Sequence, residues 1–260
     1  VNLLLLLALA ALPEGLLFHA SFEKDGQAAV AQGNPQLFSA ASYKGNVPGQ
    51  PGLAAAPNVT LAPGAGRNGS GALRFNAKNE NAVYFEAAKN VNFTAGTLSF
   101  WLRLDPNKDL APGYCDPFQL TDKDYNNSAI WVDFTKDDRP RHFRLGVFGA
   151  LKAWNPTDAP PDTNPAFNNR LVVRKNPPFA AGEWTHVVIT HQGLGTPAGT
   201  ASLYLNGALV GTANKIPEIF DWKPEKTRLR LGINYTGLFD DLMVFNRPLT
   251  PAEIKTLGAN

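Results

Sequence analysis

The chain has a single cysteine, Cys115, so no internal disulfide can staple it. Its flanks, Tyr114 and Asp116, do not favour a thiolate, which argues against a nucleophilic cysteine. Charge of one sign is also lacking: the formal net charge is +2, with no basic or acidic run. That excludes nucleic acid or an anionic membrane surface as the expected principal partner. Long apolar stretches are missing as well. The ten-residue run Leu3–Leu12 is about half of the roughly 20 residues that a membrane-spanning helix needs. Histidine is scarce. His186 and His191 lie five apart on one expected strand, so they project to opposite faces and share no metal there. His19 and His142 fall on other expected strands. No HExxH, GxSxG or paired-cysteine motif is present.

The run Leu3–Leu12 has the length of a secretory hydrophobic region, with Ala8-Leu9-Ala10 as a cleavage site, so residues 1–14 are expected to be a signal peptide. It lacks the usual basic start, and Val1 stands where a methionine would, which fits an alternative start codon or a shortened reading frame. The plain alternative is a buried strand or helix. No cysteine follows the run to carry a lipid. A chain exported without disulfides has to rely on a large core.

What the chain does have is aromatic residues: 16 Phe, 6 Tyr and 5 Trp, the composition of a β-rich core. Short alternating segments separated by Gly, Pro and Asn turns recur along it, and no internal repeat or heptad is evident. Leu98, Phe100, Leu102 and Leu104 line one face of an expected strand at 97–104. Asn206-Gly207 between apolar segments reads as a type I′ hairpin turn. The spacing predicts further strands at 16–22, 72–75, 82–85, 129–134, 142–148, 184–191, 228–233 and 238–245. Residues 15–260 are expected to form one all-β domain, a size that sandwiches routinely reach.

The C-terminal segment Leu229–Leu257 is the densest in signal. Strict alternation on its last strand sends Leu238, Asp240, Leu242 and Val244 to one face, and Phe239, Asp241, Met243 and Phe245 to the other. On that reading Asp240 and Asp241 cannot form a facing pair. Thr250, Pro251 and Glu253 then make a capping box for a one-turn helix that Gly258 can close.

Three stretches together resemble a known family. They are Gly96–Leu104 (GTLSFWLRL), Gly182–Thr190 (GEWTHVVIT) followed by Ala201–Gly207 (ASLYLNG), and the Asp240-Asp241 strand leading to Phe245-Asn246-Arg247-x-Leu249-Thr250-x-x-Glu253-Ile254. Their order and spacing are similar to those of LamG-like jelly-roll domains of the concanavalin A-like lectin/glucanase superfamily, over roughly residues 16–257. The resemblance implies an antiparallel two-sheet β-sandwich of jelly-roll topology with a short C-terminal helix. It implies non-catalytic recognition of carbohydrate or a surface glycoconjugate, and the export signal without disulfides adds the expectation of a secreted, periplasmic or cell-surface bacterial protein. An adhesive module that binds envelope proteins, and a divergent glycan-cleaving enzyme, are the alternatives. The Glu-x-Asp-x-x-Glu run of laminarinase-type glucanases is absent. Asp133, followed by Asp137 and Asp138, reads as part of a solvated hairpin.

Two segments exceed ordinary loop length, 105–127 and 149–178, and loops this long are usually functional or disordered. The second carries Trp154, Asn155, Phe167 and Arg170. With Tyr114 and Trp222 these are the candidate sugar contacts, since rings cover apolar sugar faces and planar amides match hydroxyls. The same aromatics can instead pin the loop to the sandwich. The resemblance also implies structural Ca²⁺ at a sheet rim, for which Asp240, Asp241, Glu23 and Asp25 are the candidate ligands if the terminal strands are neighbours.

Overall fold

The computed structural model describes residues 12–214 and 216–259. The signal-peptide expectation falls almost wholly on 1–11, outside the described residues. The chain forms strands β1 (Leu16–Ala20), β2 (Val30–Ala31), β3 (Phe38–Ala40), β4 (Gln50–Pro51), β5 (Val59–Leu61), β6 (Leu73–Phe75), β7 (Ala82–Glu86), β8 (Ala95–Arg103) and β9 (Cys115–Thr121). There follow β10 (Ala129–Phe134), β11 (Phe143–Phe148), β12 (Leu171–Arg174), β13 (Thr185–Gln192), β14 (Thr200–Leu205), β15 (Ala208–Asn214), β16 (Arg228–Ile233) and β17 (Gly237–Phe245). The α-helices are α1 (Leu151–Trp154), α2 (Pro165–Asn168) and α3 (Pro251–Ala259).

These strands make two antiparallel sheets. Sheet I has nine strands, in the order β15-β14-β13-β8-β17-β1-β2, with β6 paired to β17 and β5 to β6. Sheet II has eight, in the order β12-β11-β10-β9-β16-β7-β3-β4. The first and last strands are neighbours, as β1 pairs with β17. The expected jelly-roll-type sandwich is thus present, and alternation explains it. Leu98, Phe100 and Leu102 of β8 are fully buried between the sheets. Phe100 stacks across the core on Phe118 of β9 at 5.2 Å, and Phe18 of β1 meets Phe85 of β7 at 4.8 Å. Each such ring stabilises the fold by about 1.5–3 kcal/mol relative to exposure, so the paired sheets need no disulfide.

The outer face of sheet I is covered by α3. Glu253 N–H donates to Thr250 Oγ1 at 3.3 Å, and Thr250 N–H donates to Glu253 Oε2 at 2.8 Å, which closes the capping box. Ile254 and Leu257 pack on Val188, Tyr204 and Phe245. The helix runs past one turn and contains Gly258 rather than ending on it. A Cβ at Gly258 would come within 2.9 Å of His186 Nδ1, so the glycine makes room for the buried imidazole. Asn206 and Gly207 both have positive φ, as a type I′ turn requires.

Two expectations are corrected. The long segments are not simple loops. The span 105–127 contains β9, a central strand of sheet II, and 149–178 contains α1, α2 and β12. Nor does β17 alternate strictly. Its pairing to β8 slips between Asp240 and Met243, and Asp241 has φ 48°. This bulge inserts one residue and reverses the parity. Phe239, Leu242 and Val244 therefore share the main core, while Phe245 and Met243 pack under α3. Asp240 and Asp241 end on the same side of the sheet.

Candidate functional site on the outer face of sheet II

The outer face of sheet II is apolar at both flanks and polar between them. On one flank Ala40, Ala82 and Tyr84 pack with Phe38, Tyr43 and Val47. On the other, Ala129, Trp131 and Phe148 are covered by Trp154 and Phe167. The outward side chains of β16, β9, β10 and β11 between them include Arg230, Gln119, Asp133 and Arg144.

A second bulge completes this strip. Val132 pairs with Phe118 and Phe134 with Cys115, so Asp116 and Pro117 together stand opposite Asp133. Pro117 has no N–H to give the ladder, and a bulge is where a strand tolerates that. The bulge brings Asp116 beside Asp133. Asp133 is 4% exposed and pairs with its cross-strand neighbour Arg144, which donates from Nε at 2.8 Å and from Nη2 at 2.5 Å. Gln119 Nε2 donates to Asp116. Burial, and then the charge of Asp133, push the Asp116 carboxyl up to about 7. Burial raises Asp133 too, against the pull of Arg144. Two neighbouring carboxyls with one guanidinium share their protons as a unit.

Aromatic groups border the acids. The Arg144 guanidinium lies 5.1 Å from the Tyr114 ring and 5.6 Å from Trp131. Trp131 lies flat over Gly146, where any side chain would overlap the indole. Tyr114 is 38% exposed, and Lys136 Nζ also lies over its ring, 5.5 Å from the centroid. Beyond Gln119, Arg230 is held by Asn46 Oδ1 at 2.8 Å and by the Lys123 carbonyl at 3.0 Å. Burial lowers its pKa to about 10, within the charged range at neutral pH.

The sequence candidates fall differently from expectation. Trp154 and Phe167 are buried, packing on Phe148 at 5.1 and 4.8 Å, and the Trp154 N–H donates to the Asn126 carbonyl. The Asn155 amide bonds both backbone groups of Ala159, and Arg170 pairs with Glu218. Trp222 stacks on Phe220 at 4.5 Å and on Phe93 at 5.1 Å. These groups pin the 149–170 insertion and the 216–227 segment to sheet II, because burying their area outweighs leaving it for a ligand. Tyr114 alone of the six keeps an exposed ring beside the polar strip. Asp116, Gln119 and Arg230 were not candidates from sequence. Asp133 is a buried, paired acid rather than part of a solvated hairpin.

The calcium candidates are brought together only in part. Asp240 accepts from Arg67 N–H at 2.9 Å, Ser70 Oγ at 3.2 Å and Asp241 N–H at 2.8 Å. Asp241 lies 3.0 Å from His19 Nε2 and 3.9 Å from Arg67 Nη1. Glu23 accepts from Gly71 N–H, and Asp25 from Gln27 N–H. Ca²⁺ needs about six to eight oxygen ligands, whereas these carboxylates face N–H, hydroxyl and guanidinium donors, so the residues do not fit the ion. Among the described residues no three His, Cys, Asp or Glu converge as a metal site. The bulge that gathers the two acids serves to hold the 66–71 turn. Above it Arg67 stacks on Trp101 at 3.5 Å, and Trp101 on His186 at 4.5 Å.

A laminin G family model, described as the concanavalin A-like lectin/glucanases superfamily, matches residues 76–255. The chain belongs to this superfamily. Comparison with curated proteins gives no match. Solved structures share the superfamily fold at low identity. Domain 4 of AbnA, a GH43 extracellular arabinanase from Geobacillus stearothermophilus in complex with arabinotriose, is 18% identical, with TM-score 0.56 over 94% of this chain and 100% of that one. Trypanosoma rangeli sialidase is 15% identical, with TM-score 0.57 over 95% of this chain and 33% of that one. The binding domain of botulinum neurotoxin DC in complex with SialylT is 12% identical, with TM-score 0.61 over 95% of this chain and 51% of that one. This superfamily member thus spans a third and a half of the latter two chains. No helix among its described residues is long and apolar enough to cross a membrane.

Proposed function

We propose that this superfamily member is a non-catalytic carbohydrate-recognition module that acts outside the cytoplasm and reads its ligand on the outer face of sheet II. The observation that carries the proposal is the half-buried pair Asp116 and Arg144 beside the exposed Tyr114, with Gln119 and Arg230 buried behind them as support. Planar donors and acceptors of this kind match sugar hydroxyls, and a ring beside them can cover an apolar sugar face. The two related domains named with arabinotriose and SialylT support a glycan ligand by analogy of fold. A glycan array with the wild type and Tyr114→Ala tests it: glycan signal that drops in the variant supports the reading, and no signal from folded wild type sinks it.

A second reading, glycan cleavage, rests on one specific feature. Asp116, held up near 7, sits beside Asp133, which burial also raises, and two carboxyls that share protons can supply an acid and a base. Against it, Arg144 occupies both Asp133 oxygens. Release of reducing ends from the array's best ligands, abolished in Asp116→Asn, would establish cleavage. Binding without release would leave recognition alone.

A further inference from the structure

The outer face of sheet I carries a different site, near the start of β17. Leu238 has Arg74 of β6 as its neighbour on one side and Arg103 of β8 on the other. Neighbouring strands run about 4.8 Å apart, which places the two arginine backbones roughly 10 Å from each other on one face. An anion set between two such charges is attracted by both. Among the described residues neither arginine has an ion-pair partner. The arginines that form ion pairs among the described residues are Arg67, Arg144, Arg170 and Arg247. The Arg103 guanidinium lies 5.3 Å from the Trp184 ring.

Between them is a cavity of about 440 Å³, within the range of small-ligand sites. Phe75, Leu104 and Leu238 are the apolar side chains of its lining. Asn76, Thr236 and Asp109 line its walls. Asp109 Oδ2 accepts from Asp105 N–H at 2.7 Å, and this one acid faces two arginines, so the lining keeps one basic group in excess.

We infer that this cavity binds a carboxylate-bearing sugar, a uronic or sialic acid unit. Guanidinium groups pair with carboxylates through two parallel hydrogen bonds, which a lysine cannot reproduce. The amide, hydroxyl and carboxylate on the walls suit ring hydroxyls, and Asp109 disfavours a second negative charge. The apolar part of the lining matches the apolar face of a sugar ring. The site is independent of the proposed glycan face on sheet II.

Calorimetric titration of the full chain with D-glucuronate, N-acetylneuraminate, glucose and acetate tests this. At least one of the acidic sugars binds, more weakly as salt rises. Glucose, which has the ring without the acid, does not bind, and acetate, which has the acid without the ring, binds about tenfold more weakly or worse. Arg74→Ala and Arg103→Ala each weaken binding about ten- to hundredfold, the loss expected for charge-assisted hydrogen bonds, and Arg103→Lys recovers only part. Unchanged melting of the variants shows that folding is not the cause. The inference is overturned if neither acidic sugar binds, if the alanine variants bind as tightly as wild type, or if glucose or acetate binds equally well. Binding that persists in Tyr114→Ala separates this site from the one on sheet II, so either can fail without the other.

Discussion

Arg144 shows how a single side chain can be structural and functional at once. It neutralises the buried Asp133, faces Tyr114, and bears on the charge of Asp116. Removing one partner of a buried pair leaves the other charge uncompensated, at a cost of about 3–5 kcal/mol. Arg144→Ala should therefore lower the urea midpoint strongly, whereas Arg144→Met with Asp133→Asn should recover most of the loss. If the single and double variants melt alike, the pair is not what holds this strip together. Neither Asp116 nor its role was legible in the sequence. The residue sits before Pro117 in a proline-rich segment, and strand signals rest on alternation that a bulged, proline-bearing strand does not show. The aspartates of β17 were visible, but their faces were misassigned, because alternation cannot register one residue in the left-handed region.

At the scale of elements, strands that are regular were readable and insertions were not. Strand β8 alternates cleanly, and the structure places its leucines and phenylalanine in the core as that pattern requires. The capping box of α3 and the Asn-Gly turn have local chemistry that needs no tertiary knowledge. Helices α1 and α2 span four residues each, too short for a periodicity to show. Whether Trp154 faces a ligand or the sheet depends on the path of the chain between it and Phe148 and Phe167, against which its ring packs. Trp154→Ala should cost about 3–5 kcal/mol through the cavity it leaves under the insertion. Limited proteolysis should then cut between 149 and 170 in the variant and not in wild type. Loss of glycan binding without loss of stability or new cleavage would instead make Trp154 a contact residue.

For the whole molecule, buried titratable groups on both sheets set a balance in pH. Burial pushes Asp116 and Asp240 up to about 7 from 3.8, and lowers His186 to about 3 and His191 to about 4 from 6.5. The folded state then binds more protons than the unfolded at the two acids between pH 3.8 and 7, so their contribution is present at low pH and lost as pH rises. The unfolded state binds more at the two histidines, so theirs is present above 6.5 and lost as pH falls. Between about pH 4 and 6.5 the two trends oppose each other, each group being worth at most about 1.4 kcal/mol per pH unit. This opposition should flatten the wild-type profile across that window, with the raised Asp122 and Asp133 adding to the acid side. Asp116→Asn removes one opposing acid, so its stability should fall more steeply than wild type from pH 6.5 to 4.5. Denaturant midpoints at four pH values decide this, and parallel profiles would contradict the assignment.

The central claim is that the outer face of sheet II reads glycans, and the glycan array with Tyr114→Ala tests it most directly. Tyr114 is exposed, so the variant should melt with wild type. The account predicts glycan signal from wild type and at least a tenfold weaker signal from the variant, the loss of about 1.4 kcal/mol expected from one ring contact. Glycan binding of equal strength in both proteins would contradict it and move recognition away from this face.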